Sequence, residues 1–460
     1  MTGSEPTTSA RSFHVVTLGC PKNAVDSDKV TGTLMADGLT PAQAAEDADV
    51  IVVNTCAFIE AARQESIDTV LALADVRRPG SRLVVTGCMA ERHGDELAAA
   101  LPEVDAVVGF GGEAAIGEVA LGMPTLRTQP TRGGGITDLL DLPRPAPSAP
   151  WAYVKVAEGC DRACAFCAIP SFRGKQVSRT PDAILTEARS LVNNGVAELV
   201  LVAQDLAWFG RDAGSVDALA ELLRDVDTLR ADGLARVRLL YLYPSEVRDP
   251  LVSTMLELPS VVPYFDLSLQ HASRPLLARM KRWGSGDVFL EKMQKIRAEQ
   301  PDAAFRSNFI VGFPGETEAD HETLLTFLAE ARFDWAGFFP FSREEGTAAA
   351  SLDGEVPAAL AAERLRECSA LQDPITESAR DALIGATIDV LIDEVHEVGA
   401  GDDEGEEGGD VALVGRTHRE APEIDGVVHV RGAAFARPGT TVHAVVRDAL
   451  GPDLYADVLQ

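Results

Sequence analysis

The run Trp151-Ala-Tyr-Val-Lys-Val-Ala-Glu-Gly-Cys160-Asp-Arg-Ala-Cys164-Ala-Phe-Cys167 decides how the chain is read. Residues 151–158 predict a strand, and three cysteines follow at once in a single loop. Three thiolates so close together suit three corners of a cubane iron–sulfur cluster and leave its fourth iron open. A closed structural zinc site wants four protein ligands. The alternatives are a zinc loop with a remote ligand, or three unrelated buried cysteines. The absence of a local fourth ligand leaves a place for a substrate or a cofactor.

Downstream, strands are expected at 197–204, 236–243, 263–270, 304–312 and 335–342. Helical patterns lie between them, at Pro181–Asn194, Val216–Thr228, Val288–Glu299 and Glu318–Ala331. This alternation predicts a partial or open (β/α) barrel, with functional residues at the carboxyl ends of its strands. A helix over about 356–384 carries Cys368, which is expected to be a packing residue. The rhythm then changes to short strands separated by turn residues, at Thr387–Ile392, Val411–Val414, Gly426–Val430 and Thr441–Ala449. They predict a small all-β domain, interrupted by an acidic loop at 402–410.

Upstream, strands at 13–19, 48–55 and 82–87 are each followed directly by a cysteine, Cys20, Cys56 and Cys88. Helices are expected over about 25–38, up to about 75, and over about 91–101, with a short strand at 106–109. Strands alternating with helices make a parallel sheet whose carboxyl ends share one edge, where ligands bind. Topology therefore brings Cys20, Cys56 and Cys88 to one place; the alternative is three cysteines buried independently. The expected organisation is α/β: a polar, disordered leader (1–12), a parallel-sheet domain (13–124), a Pro- and Gly-rich linker (125–150), a partial (β/α) barrel domain (151–376) and a small β domain (377–460).

The 460 residues carry 41 Lys and Arg against 71 Asp and Glu, a net charge of −30. Nucleic-acid binders neutralise phosphate with cations, so this balance argues against direct nucleic-acid binding. It argues equally against an anionic membrane surface. No apolar run is long enough for a transmembrane helix, and the first residues lack the apolar core of a signal peptide, so a cytoplasmic location is expected. Seven cysteines do not make a disulfide scaffold.

The loop Cys160, Cys164, Cys167, with Phe166 before the last cysteine, resembles the signature of the radical S-adenosylmethionine enzymes. That resemblance implies a 4Fe-4S cluster whose open iron is chelated by the methionine end of S-adenosylmethionine. One-electron cleavage then yields a 5′-deoxyadenosyl radical, and the protein supplies position and electrostatics. It also implies cofactor-binding roles for Phe166 beside the adenine, for Gln204 and Asp205 at the second barrel strand, and for Asn308, Gly312, Gly315 and Glu316 in Ser307-Asn-Phe-Ile-Val-Gly-Phe-Pro-Gly-Glu316. Gln270 and His271 could also contact cofactor or substrate.

The strings Thr17-Leu-Gly-Cys20-Pro-Lys-Asn-Ala-Val-Asp-Ser27, Asn54-Thr-Cys56-Ala-Phe-Ile-Glu60 and Thr86-Gly-Cys88-Met-Ala90 resemble the N-terminal domain of the methylthiotransferases. There the resemblance implies a second, auxiliary 4Fe-4S cluster, again with one free iron, that carries or receives the sulfur. Tyr153-Val-Lys-Val-Ala-Glu-Gly-Cys-Asp161, Val202-Ala-Gln-Asp-Leu-Ala-Trp-Phe-Gly210, Leu269-Gln-His-Ala-Ser273, Phe341-Ser-Arg-Glu-Glu-Gly-Thr347 and Gly415-Arg-Thr-His-Arg-Glu-Ala-Pro-Glu-Ile-Asp-Gly426 resemble the RimO branch of that family. Phe339-Pro-Phe341 departs from it where a tyrosine is expected. The branch implies a transferase that places a methylthio group on the β-carbon of an aspartate in the decoding-centre protein of the small ribosomal subunit, ribosomal protein S12. It also implies an electron donor such as flavodoxin or ferredoxin; the sulfur donor is unknown. The rival readings are a tRNA adenosine methylthiotransferase and a non-enzymatic iron–sulfur or zinc carrier. The C-terminal β domain resembles a TRAM module, usually an RNA-binding barrel, yet residues 381–460 hold 17 acidic and 5 basic side chains. That surface suits a basic protein partner better than phosphate.

Overall fold

The computed structural model describes residues 11–122, 140–397, 411–432 and 436–459. Most of the leader, residues 125–139 of the linker and the acidic loop 402–410 lie outside the described residues.

The N-terminal sheet contains β1 (Ser12–Thr17), β2 (Thr40–Pro41), β3 (Val50–Thr55), β4 (Arg82–Gly87) and β5 (Ala106–Val107), in the order β2-β1-β3-β4-β5. All four pairings are parallel. The central strand β3, Val-Ile-Val-Val-Asn-Thr, is buried throughout. Helices cover both faces of such a sheet, which is why its strands read as continuous apolar runs rather than as alternation. The first helix (Pro21–Ala36) starts earlier than its periodicity indicates, because Pro21 at the first helical position presets the backbone angle.

The central domain contains β6 (Trp151–Lys155), β7 (Ala157–Glu158), β8 (Val177–Ser178), β9 (Glu198–Val202), β10 (Arg236–Leu239), β11 (Tyr264–Gln270), β12 (Ala304–Val311) and β13 (Trp335–Pro340). Six of these strands form two parallel three-stranded sheets, β10-β9-β6 and β11-β12-β13. Only the isolated bridges Val237–Val261 and Leu242–Leu267 join them, so the barrel is open and has a thin seam. The short pair β7–β8 is antiparallel and flanks the cysteine loop. The long helix Ala358–Asp381 closes the outer wall, and its Cys368 is fully buried in the main apolar core.

The last five strands are β14 (Thr387–Glu397), β15 (Val411–Arg416), β16 (Val428–Arg431), β17 (Thr441–Leu450) and β18 (Asp453–Val458), closed as β14-β15-β16-β18-β17. The sequence pattern does not mark β18, whose six residues include two aspartates, yet it completes the barrel. Residues 416–425, between β15 and β16, leave the small barrel and enter the amino end of the large one. Arg238 at β10 donates to the carbonyls of His418 (2.7 Å) and Thr417 (3.3 Å). Trp335 donates to Arg419 O (2.6 Å), Tyr153 to Pro422 O (3.0 Å) and Tyr264 to Asp425 (2.6 Å). Ala421 packs among Tyr153, Val200, Tyr264 and Trp335 inside the barrel. Glu198 is fully buried between Arg238 (2.7 Å) and Arg416 (2.8 Å). Breaking such a buried pair costs about 3–5 kcal/mol, because the remaining charge is left without a partner.

Candidate active site

Strand topology assembles the N-terminal cysteines. Each follows the carboxyl end of a neighbouring strand: Cys20 after β1, Cys56 after β3 and Cys88 after β4. Gly19 sits at φ +100°, and a Cβ there would lie 3.0 Å from the Cβ of Cys56, so the first two loops abut. Asn23 ties them together, donating to Leu18 O (2.9 Å) and Thr55 O (3.2 Å). Burial pushes the Cys56 thiol up to about 12 and raises Cys88 as well. For Cys20 burial works in the same direction, but Lys22 and Arg173 outweigh it and lower the thiol below its usual value. An open cavity of about 390 Å³ touches Cys20 and is lined also by Ala24, Tyr153 and Ile424. The larger cavity, about 570 Å³, lies away from the cysteines, under residues 140–147 and against the helix Pro181–Asn193.

The barrel cysteines belong to one loop. Cys160 N donates to Gly174 O (3.0 Å), Cys167 N to Cys164 O (3.2 Å) and Ala165 N to Met280 O (2.9 Å). Burial pushes Cys160 up to about 11 and Cys167 up to about 12. Arg282 donates to Cys164 Sγ (3.1 Å). Its guanidinium stacks on Tyr243, as does that of Arg162, at 4.3 and 3.9 Å from the ring centre.

The two domains meet beside the cysteines. Arg173, six residues after Cys167, donates to Cys88 Sγ (3.0 Å), Asn23 Oδ1 (3.0 Å) and Asp26 (3.1 Å) with one nitrogen and to Glu158 (2.8 Å) with the other. Lys155 pairs with Asp26 and with Glu158 (2.7 Å). Burial alone would raise the Glu158 carboxyl, but Arg173 and Lys155 hold it far below the carboxylate range. Lys22 lies over the Tyr241 ring, 3.3 Å from its centre. Glu344, after β13, receives Arg63 and Arg92 from the N-terminal domain. These contacts fall at the carboxyl ends of β6, β10 and β13, so the N-terminal domain sits over the open end of the barrel.

The residues expected to bind cofactor divide into two sets. Gln204 donates to Glu158 (2.5 Å) but leaves its buried Oε1 without a partner, and Asn308 leaves Oδ1 likewise. Both orphaned acceptors suit a ligand that brings amino or hydroxyl groups. Phe166 is half-buried against the barrel core. Asp205 is engaged by Arg162 (2.7 Å) and keeps Oδ1 unpartnered. Glu316 receives Gly312 N and lies 3.5 Å from Arg364 and 3.6 Å from His271, and it too leaves Oε1 without a hydrogen-bond partner. Gly312 (φ +74°) and Gly315 (φ +89°) make room for Ala361 and Arg279 respectively. His271 accepts from Ser273 N (3.0 Å). Those four residues shape the loop after β12.

Among the described residues, no three His, Cys, Asp or Glu side chains stand at the spacing of a single metal ion. Two sets of three cysteines, buried or half-buried and each with an arginine on one sulfur, fit iron–sulfur clusters ligated by thiolate. Sequence reasoning missed Arg173, Arg282, Lys155, Glu158 and Asp26. The visible signal was charge where an apolar strand needs none, at Lys155 within Val154-Lys-Val156.

Three family models match the chain: Uncharacterized protein family UPF0004 over residues 12–109, the Radical SAM superfamily over 154–328 and the TRAM domain over 384–459. A ribosomal protein uS12 methylthiotransferase RimO from Salinispora tropica is 41% identical, with 97% of this chain and 95% of the relative aligned. The RimO of Streptomyces coelicolor is also 41% identical, over 98% of this chain and 97% of its own. Among solved structures, the radical S-adenosylmethionine methyltransferase TsrM from Kitasatospora setae, with tryptophan and a cofactor analogue bound, superposes with a TM-score of 0.55. It is 14% identical over 80% of this chain and 90% of that one, a likeness of fold. No described helix is long and apolar enough to cross a membrane.

Proposed function

The chain belongs to the RimO family of ribosomal protein uS12 methylthiotransferases, and from that premise we propose that it transfers a methylthio group to the β-carbon of an aspartate on that ribosomal protein. The observation that carries the proposal is that Arg173, just after the barrel cysteine loop, reaches the Cys88 sulfur of the other group, while its neighbour Gly174 accepts from Cys160 N. Cys160, Cys164 and Cys167 hold one 4Fe-4S cluster, and Cys20, Cys56 and Cys88 hold a second. When bound, the clusters and S-adenosylmethionine supply electron transfer, hydrogen abstraction from carbon and the sulfur to be inserted.

The polypeptide supplies placement. Phe166, Gln204, Asp205 and Asn308 face the cofactor, while Gly312, Gly315 and Glu316 support the loop beside it. Residues 13–124 carry the auxiliary site, 151–376 the radical site, and 377–460 the substrate-facing module, with 125–150 joining the first two. The excess of acidic over basic side chains in residues 381–460 favours a basic protein partner over phosphate. A small external electron carrier such as flavodoxin or ferredoxin delivers the electron, and the work is cytoplasmic, where ribosomal proteins are made.

Anaerobically reconstituted enzyme, given S-adenosylmethionine and a peptide spanning the target aspartate, tests this. The expected result is a methylthio adduct on the peptide together with 5′-deoxyadenosine. Modified tRNA with unmodified peptide would sink the substrate assignment. An adduct that persists in Cys88→Ala would sink the role given to the auxiliary site.

A further inference from the structure

We infer that Arg173 is a positioning residue of the auxiliary site: it holds the Cys88 sulfur toward the radical site and sets the electronic character of what that sulfur ligates. The inference rests on the reading of Cys20, Cys56 and Cys88 as cluster ligands.

The side chain is buried, at 4% exposure. An arginine taken out of water must find acceptors for its fork of donors. Arg173 finds four: Glu158, Asp26, Asn23 and Cys88 Sγ. Its guanidinium also lies over the Phe110 ring, 4.5 Å from the centre. Only Glu158 belongs to the barrel domain; the other acceptors and Phe110 come from the N-terminal domain. The backbone next to it is fixed as well, because Gly174 O accepts from Cys160 N. One residue is therefore clamped to the radical-site loop by its backbone and to the auxiliary-site sulfur by its side chain.

The charges near it are counted easily. Arg173 and Lys155 face Asp26 and Glu158, two against two, so this cluster is neutral before any thiolate is added. The further negative charge of a Cys88 thiolate meets Arg173 directly. Hydrogen bonds and positive charge at ligating sulfur raise the reduction potential of an iron–sulfur cluster, and outer partners of this kind orient the ligand they touch. A lysine would retain the charge but could not reach four acceptors from one plane.

The competing account is that Arg173 only docks one domain on the other. Glu344 offers the control, since it joins the same domains through Arg63 and Arg92. The test uses the full chain with Cys160, Cys164 and Cys167 changed to alanine, so that only the auxiliary cluster remains. Its midpoint potential and electron paramagnetic resonance signal are measured with Arg173 intact, in Arg173→Gln, in Arg173→Lys and in Glu344→Gln. The expected outcome is a lower potential and shifted g values in Arg173→Gln, most of the potential but not the g values restored by lysine, which keeps the charge and loses the positioning, and no change in Glu344→Gln. Wild-type values in Arg173→Gln, or the same shift in Glu344→Gln, overturn the inference. If the glutamine variant fails to load iron, the lysine variant decides, since wild-type g values there also overturn it. A protein with Arg173 intact that holds no cluster in this background refutes the cluster reading itself.

Discussion

The two cysteine groups are built in opposite ways. Cys160, Cys164 and Cys167 lie within one loop, and their mutual placement needs only local turns. Cys20, Cys56 and Cys88 come from three strand ends of a parallel sheet, and nothing local relates them. Each group has an arginine on one sulfur, but Arg282 and Cys164 share a domain whereas Arg173 crosses to Cys88 from the other one. A site made by spacing depends on its loop, and a site made by topology depends on every strand that ends there.

The largest effect separates the two outright. Cys164→Ala should reduce 5′-deoxyadenosine formation by at least about 10³-fold, because no other route to that cleavage competes at ordinary rates. Cys88→Ala should remove the methylthio product equally while cleavage continues. Chromatography of the nucleoside and mass spectrometry of the peptide read both. Parallel loss in both variants would mean that the groups act as one unit.

Next comes Arg282→Met, expected to slow cofactor cleavage by about 10–100-fold, as for other outer partners of metal ligands. The auxiliary cluster's spectrum should stay as it was, and a change there would erase the distinction between the sites. A smaller effect is expected from Gly19→Ala. It forces a side chain into the left-handed region, at about 1–2 kcal/mol, and against Cys56. Iron bound at the N-terminal group should fall while iron at the barrel loop holds, read from the two single-site backgrounds.

The gentlest contrast is in pH, at most about 1.4 kcal/mol per unit for each proton. Burial would raise Glu198, but Arg238 and Arg416 hold it down at about 2, so its stabilisation of the barrel is full above the ordinary carboxylate range and is lost as pH falls toward 2. Glu113, behind the N-terminal site, is raised to about 8 by burial and by Asp26. Its contribution is full in acid and is lost as pH rises through 8. Acid should therefore weaken the barrel and alkali the N-terminal sheet. Urea unfolding followed by tryptophan fluorescence reports the barrel, since Trp151, Trp208, Trp283 and Trp335 all lie there. Hydrogen exchange at Val50–Thr55 reports the sheet.

The same contrast explains what could be read from the sequence. The loop cysteines announce themselves by interval. The N-terminal ones are legible only after the strands are placed, and the strings around them, which resemble the methylthiotransferase N-terminal domain, decide the reading. Cys368, with no strand end and no companion, is a core residue as expected. The supporting charges were hidden, since Lys155, Glu158 and Arg173 find their partners in another domain, which no local pattern encodes. Gly312 and Gly315 have a packing reason that the sequence does not display, since a Cβ at either would strike Ala361 or Arg279. Residues 416–425 were quoted as a family string, but their position inside the large barrel depends on Arg236, Arg238 and Tyr264, far earlier in the chain.

That last insertion bears on how the protein is born. A ribosome delivers Glu198, Arg236 and Arg238 long before it delivers Arg416 and the carbonyls that follow. Until the final segment emerges, Glu198 has Arg238 but lacks Arg416, Arg236 lacks its carbonyl acceptors, and the apolar lumen lacks Ala421. Domains commonly mature in the order of synthesis, but here the middle one must wait for the end of the message. A nascent chain halted before residue 416 should remain accessible to protease across the barrel while its N-terminal sheet is already protected. Release of the last 45 residues should then close both together.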